Sequence, residues 1–534
     1  MNDTKRTILA FVISFAILMG WYVFFTPNKG GGSPQAPAAS SSEPLKVAAT
    51  QAAKVEKEAT VSGAPLAVAN AVSEEKAYLK NPLVEIQLTN RGAKVEQVKL
   101  LKYNDKSGAE GKPLVLMNGG NEGAGLTRLA DSAFKSGAIF AVGQKTENKV
   151  TYLYRTSDGL LIEKTYELNP TRYDVNLTVR VVNEGKSSFK DKLTVYMVGD
   201  FSAGHSRYIY RGPAYSQSGG FEEVDADDSA KGKFLTGQIN WAGVIENYFL
   251  WAIVPKDVAG AELRLESDES GKTIIKVELG GPALEIAPGA AQSREYRLYV
   301  GPKNKDDLVA VGAGLESALY YGWFTIIAKP LLNLLNLLYG FVGNYGIAII
   351  ILTALVKLLF WPLSAKSYKS MARMKDLQPK IEKLKERYGE DREKLNSEMM
   401  QLWKTHKVNP FSGCLPILVQ IPVFIALYRV LMSSIEIRHA PFLLWLHDLS
   451  APDPYYITPL LMGGSMFLQQ KMTPATGMGD GQMKFMLYGM PILFTYLFKD
   501  FASGLVVYWL MNNVFSIAQQ WILMRNGKAK PKAA

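Results

Sequence analysis

YGIAIIILTALVKLLFWPL, residues 345–363, is apolar throughout except for Thr353 and Lys357. As a helix rising 1.5 Å per residue it reaches about 28 Å, close to the ~30 Å hydrocarbon core of a bilayer. It reads as a membrane span with a charge inside it. Lys357 lies eleven residues beyond Gly346, about 17 Å into the helix and near or past its midplane. A lysine there costs roughly 3 kcal/mol on insertion scales. Such a residue faces a bundle interior or a wet cavity, or else snorkels to the headgroups along its long stem. Thr353 lies one turn earlier on the same face, which favours a polar stripe.

Further runs of the same kind lie on either side. Ile8–Phe25 follows Lys5 and Arg6, and Val408–Tyr428, Tyr455–Gln470, Phe485–Phe498 and Phe501–Met524 are uncharged. Six membrane helices are expected: an anchor at 1–26 and a five-helix core with spans near 345–363, 411–434, 455–470, 485–498 and 503–524. The anchor is read as uncleaved, because its run ends in Trp21-Tyr22 and no suitable small-x-small site adjoins it. Residues 323–341 are broken by Lys329-Pro330, and the segment 306–342 is expected to lie in the interface as an amphipathic helix. Residues 364–407 carry twelve Lys and Arg, which places that segment in the cytoplasm. Both termini and the basic tail 526–534 then fall on the same side. Counting 323–341 as a further span would put those cations outside. The spans at 455–470 and 485–498 are short, reaching about 24 and 21 Å, so a thinned bilayer or snorkelling flanks are expected.

Residues 27–77 are rich in Ala, Pro, Ser and Gly and are expected to be a flexible linker. From 78 to 305 the pattern changes. Tyr173, Val175, Leu177, Val179 and Val181 alternate with polar residues, the period of a half-buried strand. Leu83–Thr89, Lys192–Val198, Thr273–Leu279 and Arg294–Val300 repeat it, with turn signals between. An all-β sandwich is expected, inserted between the anchor and the core and lying outside the cytoplasm.

Composition excludes several functions. The chain has 60 Lys and Arg against 49 Asp and Glu, with 48% hydrophobic residues, one cysteine and four scattered histidines. Disorder throughout is excluded. So are a disulfide scaffold and a Cys-rich metal site. No P-loop or HExxH spacing occurs, and no cofactor or metal is expected. The polar residues of the last span are Trp509, Asn512, Asn513, Ser516 and Gln520, whose spacing suggests a single face. Gln420, Ser465, Gln469 and Thr495 add single polar groups in other spans. Interhelical hydrogen bonding is the plain reading of each; together with Lys357 they suggest a cationic hydrophilic groove. Arg429, near the outer end of its span, is read as snorkelling. Within 365–408, Ile381, Leu384 and Tyr388 form one apolar stripe and Leu395, Met399, Leu402 and Met400/Trp403 another, the pattern of a helical hairpin. The hairpin either covers itself or docks a partner or anionic headgroups. A secondary transporter using Lys357 is the alternative from another class, though no internal repeat is visible. An intramembrane protease lacks a histidine in any span.

The stretch LQPKIEKLKERYGEDREKLNSEMMQLWKTHKVNPFSGCLPILVQIPVFIALYRVL (377–431), with HDLSAPDPYYITPLLMGGSMFLQQKM (447–472), resembles the YidC-type membrane protein insertases, with their mitochondrial Oxa and chloroplast Albino relatives. The large strand-rich domain and the first span are similar to those of the Gram-negative bacterial members. The resemblance is specific over about 325–525 and architectural before 305. It implies a multi-pass inner-membrane protein, not an enzyme, with a groove open to cytoplasm and lipid, a cytoplasmic hairpin needed for activity and a periplasmic β-supersandwich. The implied substrates are nascent inner-membrane proteins, inserted alone or with the Sec translocon and its accessory subunits. A ribosome or targeting factor would meet the hairpin, and anionic lipids the basic surfaces. The family's groove arginine matches Lys357, which keeps the charge but not bidentate carboxylate pairing. Its groove threonine matches Thr353, and its last-span aromatic pair matches Tyr508 and Trp509. With Gln420, Asn512, Asn513 and Ser516, these are the substrate-contact candidates.

Overall fold

The computed structural model describes residues 73–528, apart from 109, 119–122, 130–136, 201–209, 225, 268–273, 389–390, 407, 409–414 and 473–479. The anchor at 1–26, most of the linker and residues 529–534 of the tail lie outside the described residues.

The strand-rich part forms two nine-stranded sheets and a two-stranded ribbon, with every pairing antiparallel among the described residues. One sheet runs from Lys76–Lys80 at one edge to Lys233–Gly237 at the other, with Leu193–Asp200 between Gly123–Leu129 and Ile274–Gly280. The second has Ala291–Pro302 at its centre, between Phe249–Pro255 and Asp174–Asn183. Val175, Leu177, Val179 and Val181 are buried on one face. Phe249–Pro255 is buried at every position, so it carries no alternation to read. The domain starts earlier than 78, because the first strand opens at Lys76.

The domain also ends later than 305. Helix α1 (Lys305–Val311), capped by Asn304 Oδ1, and the 3-10 turn Leu315–Ala318 contribute Leu308, Val311, Leu315 and Ala318 to the sandwich core. Gly312, Ala313 and Gly314 all have positive φ, at 84°, 56° and 72°, and stop the helix there. The segment 306–342 is therefore not one interfacial helix. Its second part is α2 (Thr325–Val342), which packs on a different core through Ala328, Leu332 and Leu335. With the turn before it, Gly322–Val342 is the one described helix long and apolar enough to cross a membrane by itself, at mean hydropathy 1.4. Ile326 and Phe341 on its outer face are exposed.

The helical part continues with α3 (Tyr345–Leu359), α4 (Trp361–Asp376), α5 (Gln378–Tyr388), α6 (Arg392–Thr405), α7 (Leu415–Ser433) and α8 (Ile457–Met472). Two more helices follow, α9 (Met490–Phe498) and α10 (Ser503–Lys528). The expected span 345–363 is broken at Phe360, where α4 turns 65° away from α3. Pro362 explains the break: it lacks an N–H and would clash with the carbonyl of Leu358 in a continuous helix. The span at 485–498 is longer than its apolar run. A turn at Asp480–Lys484 and a π-turn at Phe485–Gly489 lead directly into α9, giving about 28 Å of helix.

Helices α5 and α6 pack against each other and the end of α4 through Met374, Leu377, Ile381 and Met399, with Leu384, Leu395, Leu402 and Trp403 around them. Tyr388 stands at the end of α5, outside that cluster, and Met400 points outward.

Candidate functional site

The α7–α8 connection seals one end of the bundle. The Ser503 N–H donates to the Ala451 carbonyl at 2.7 Å and the Gly504 N–H to that of Leu449 at 2.9 Å. The Ser503 hydroxyl donates to the Asp448 carbonyl at 2.9 Å. Asn344 caps α3 with Oδ1, while its amide donates to the Phe442 carbonyl at 3.0 Å. Asp453 accepts from the Thr458 N–H and hydroxyl at the start of α8, and from the Trp445 indole. The ends of α3, α8 and α10 are thus tied to one loop.

The polar residues lie further along the bundle. Lys357 is in the last turn of α3, not mid-helix as its place in the apolar run suggests, because the helix stops at Leu359. Its ammonium donates to the Ser516 hydroxyl at 2.7 Å, and that hydroxyl donates to the Asn512 carbonyl at 2.7 Å. Among the described residues no carboxylate pairs with Lys357. The negative end of the α3 dipole adds a modest stabilisation. Thr353 is buried, but its hydroxyl is turned back on the Ile349 carbonyl at 2.6 Å.

The polar residues of α10 fall within an arc of about 100°, and that face meets two neighbours. Ser516 meets α3, whereas the Asn513 amide donates to the Ser465 hydroxyl of α8 at 2.9 Å and the Gln520 amide to the Met472 carbonyl at 2.9 Å. Ser516 and Asn513 thus sit toward the two edges of that face, and α10 is wedged between α3 and α8. Tyr508 is fully buried and bonded to the Gln420 amide. Trp509 stands edge-on to Phe424, with ring centres 4.6 Å apart, and packs against Phe494 and Phe498. These two aromatics form the junction of α7, α9 and α10 rather than the wall beside Lys357.

Two residues join the site without a sequence signal of their own. Tyr368 of α4 also bonds Ser516, though burial, the larger effect, raises its phenol; flanking Lys366 and Lys369 make it look solvated. Gln519 is buried with its amide nitrogen unpaired, as are Asn512 Oδ1 and Gln520 Oε1. Buried unpaired polar atoms cost about 1–3 kcal/mol each, and three of them fall on α10. No group of acidic, His or Cys side chains among the described residues could hold a metal.

Comparison with known proteins fits this arrangement. The family described as "60Kd inner membrane protein" matches residues 337–530, and that described as "YidC periplasmic domain" matches 76–334. A protein of Geotalea daltonii named membrane protein insertase YidC is 38% identical over 97% of this chain and 98% of its own length. The chain belongs to the YidC family of membrane protein insertases. A YidC of Nitratidesulfovibrio vulgaris is 39% identical over 98% of this chain and 99% of its own. A crystal structure described as an active YidC insertase with the first transmembrane domain resolved is 19% identical, with a TM-score of 0.37, covering 84% of this chain and 93% of that one. YidC insertases are not enzymes, and the relatives' names do not favour a transporter. The periplasmic-domain match extends through α1 into α2, past the last strand, in keeping with the residues that α1 adds to the sandwich core.

Proposed function

We propose that this chain inserts and helps fold inner-membrane proteins, alone or with the Sec translocon, through the polar site between α3, α4, α8 and α10. The observation that supports this best is Lys357, an ammonium held by a hydroxyl and unopposed by any described carboxylate. Unpaired amide atoms of Asn512, Gln519 and Gln520 on α10 accompany it. A short acidic tail would be drawn to Lys357 and take a hydrogen bond from the Gln519 amide nitrogen, while the oxygens of Asn512 and Gln520 would accept from the tail's backbone N–H groups. Its apolar segment would then pass sideways into lipid, where burial of ~20 apolar residues supplies the free energy without ATP. Thr353, Gln420, Tyr508 and Trp509 act in this reading by holding the helices around the site.

The positive-inside bias puts α5, α6 and both termini in the cytoplasm and the sandwich in the periplasm. The basic surface of α5 and α6 is then the contact for a ribosome, a targeting factor or anionic lipid. α2 lies in the outer interface on the same parity argument.

The test is insertion by purified protein in liposomes, read by protease protection. Lys357→Glu should impair acidic-tailed precursors most and neutral-tailed ones least. Equal insertion of both by that variant would remove the steering role.

A further inference from the structure

Away from the polar site, α8 and α9 enclose an apolar groove of about 590 Å³, within the usual range of small-ligand sites. We propose that it holds one acyl chain of a zwitterionic phospholipid from the outer leaflet. This rests on reading α8 and α9 as membrane-spanning.

The groove exists because of two adjacent glycines. A Cβ on Gly463 would meet Thr495 Oγ1 at 2.0 Å, so the helices touch there. A Cβ on Gly464 would meet nothing within 4 Å, and this missing side chain opens the groove. Phe467 and Tyr488, with ring centres 5.7 Å apart, close its inner end. Leu460 and Ile492 form exposed rims. The Thr495 hydroxyl is turned back to the Pro491 carbonyl at 2.8 Å, so it is not offered to a solute.

Length and lining suit the occupant. Along α8 the lining runs from Pro459 to Phe467, about 12 Å, close to the depth of one leaflet of a ~30 Å core. An extended acyl chain fits that length and those apolar walls. At the mouth, Lys499 lies over the Tyr496 ring at 5.3 Å and bonds Asp500 at 2.8 Å. One positive and one negative group side by side match a phosphate–ammonium headgroup better than an anionic one.

The experiment is photo-crosslinking of the full chain in proteoliposomes with phospholipids carrying a diazirine on the acyl chain and either a zwitterionic or an anionic headgroup, with labelled peptides mapped. Label should concentrate on α8 and α9, favour the zwitterionic probe and fall several-fold in Gly464→Leu. Ile492→Trp fills the groove from the other wall at an exposed position, and should act alike with an unchanged melting temperature. Even labelling of all outward helix faces, unmoved by either variant, would overturn the proposal and leave only annular lipid. Stronger labelling by the anionic probe would overturn the headgroup assignment. Capture of a nascent apolar segment by a photoreactive residue at 492, lost in Gly464→Leu while lipid labelling persists, would make the substrate the occupant and overturn the lipid. No label on α3 or α7–α10 would instead overturn the spanning reading.

Discussion

Lys303 sits where the last strand leaves the sandwich, and its ammonium is buried. Burial pushes its pKa down to about 8, with Glu223 and Glu246 pulling partly the other way. Between pH 8 and about 10.5 the unfolded chain therefore holds a proton that the folded chain has lost, and stability rises with pH across that window. The slope is at most about 1.4 kcal/mol per pH unit, and below pH 8 the contribution is flat. Lys303→Met should abolish the slope: its stability relative to wild type, from chemical denaturation, should fall between pH 8 and 10. A constant difference would show that the buried lysine keeps its proton across this window, as it does in the unfolded chain. A second residue-scale case is Gly346, where a Cβ would lie 1.9 Å from the Phe442 ring. Overpacking of this kind costs about 1–3 kcal/mol, so Gly346→Ala should lower the melting temperature by loosening the loop that seals the bundle. An unchanged transition would mean that Phe442 can swing aside freely.

At the scale of elements, legibility follows how much of the surroundings each element needs. Strands with one buried face announce themselves: Val175, Leu177, Val179 and Val181 alternate in sequence and in burial. Phe249–Pro255, buried on both faces, has no such alternation. The break between α3 and α4 was written in Trp361-Pro362, but the apolar run through it outweighed one proline. Pro330 misleads the other way: 323–341 is not broken at Lys329-Pro330, because α2 continues through it, as α7 does through Pro422. Within the site, residue types were legible and partners were not. Ser516 and Asn513 are three residues apart on one face, and only packing assigns the first to α3 and the second to α8. The α5–α6 pair carries its own small core, so Ile381→Asp should unfold it locally. Hydrogen exchange should show lost protection across 378–405 and unchanged protection in α10; loss throughout the bundle would mean that the pair is not a separate cooperative unit.

At the scale of the whole molecule, the sandwich and the bundle meet at the loop after α7. Ile435 is part of the sandwich core although it directly follows a bundle helix. The Asn304 amide donates to Glu436 at 3.1 Å, and the Arg438 guanidinium donates to the Asn104 carbonyl at 2.7 Å. The same guanidinium lies 5.7 Å from the Phe249 ring centre and 6.0 Å from that of Tyr248. Leu319 packs against both cores. The loop that ties the helix ends together is thus also the mooring of the sandwich, so a displacement of one part is felt by the other. A charged hydrogen bond contributes about 1.5–3 kcal/mol and a partly buried cation–π contact about 1–2. Arg438→Ala removes both while leaving every side chain of the two cores in place. The distance distribution between spin labels on the sandwich and on α10 should broaden, while the sandwich keeps its melting temperature. An unaltered distribution would show that Ile435 and the covalent connection through α1 suffice to hold the two parts. A lowered melting temperature of the sandwich would show instead that Arg438 belongs to that domain's own stability and not to its mooring.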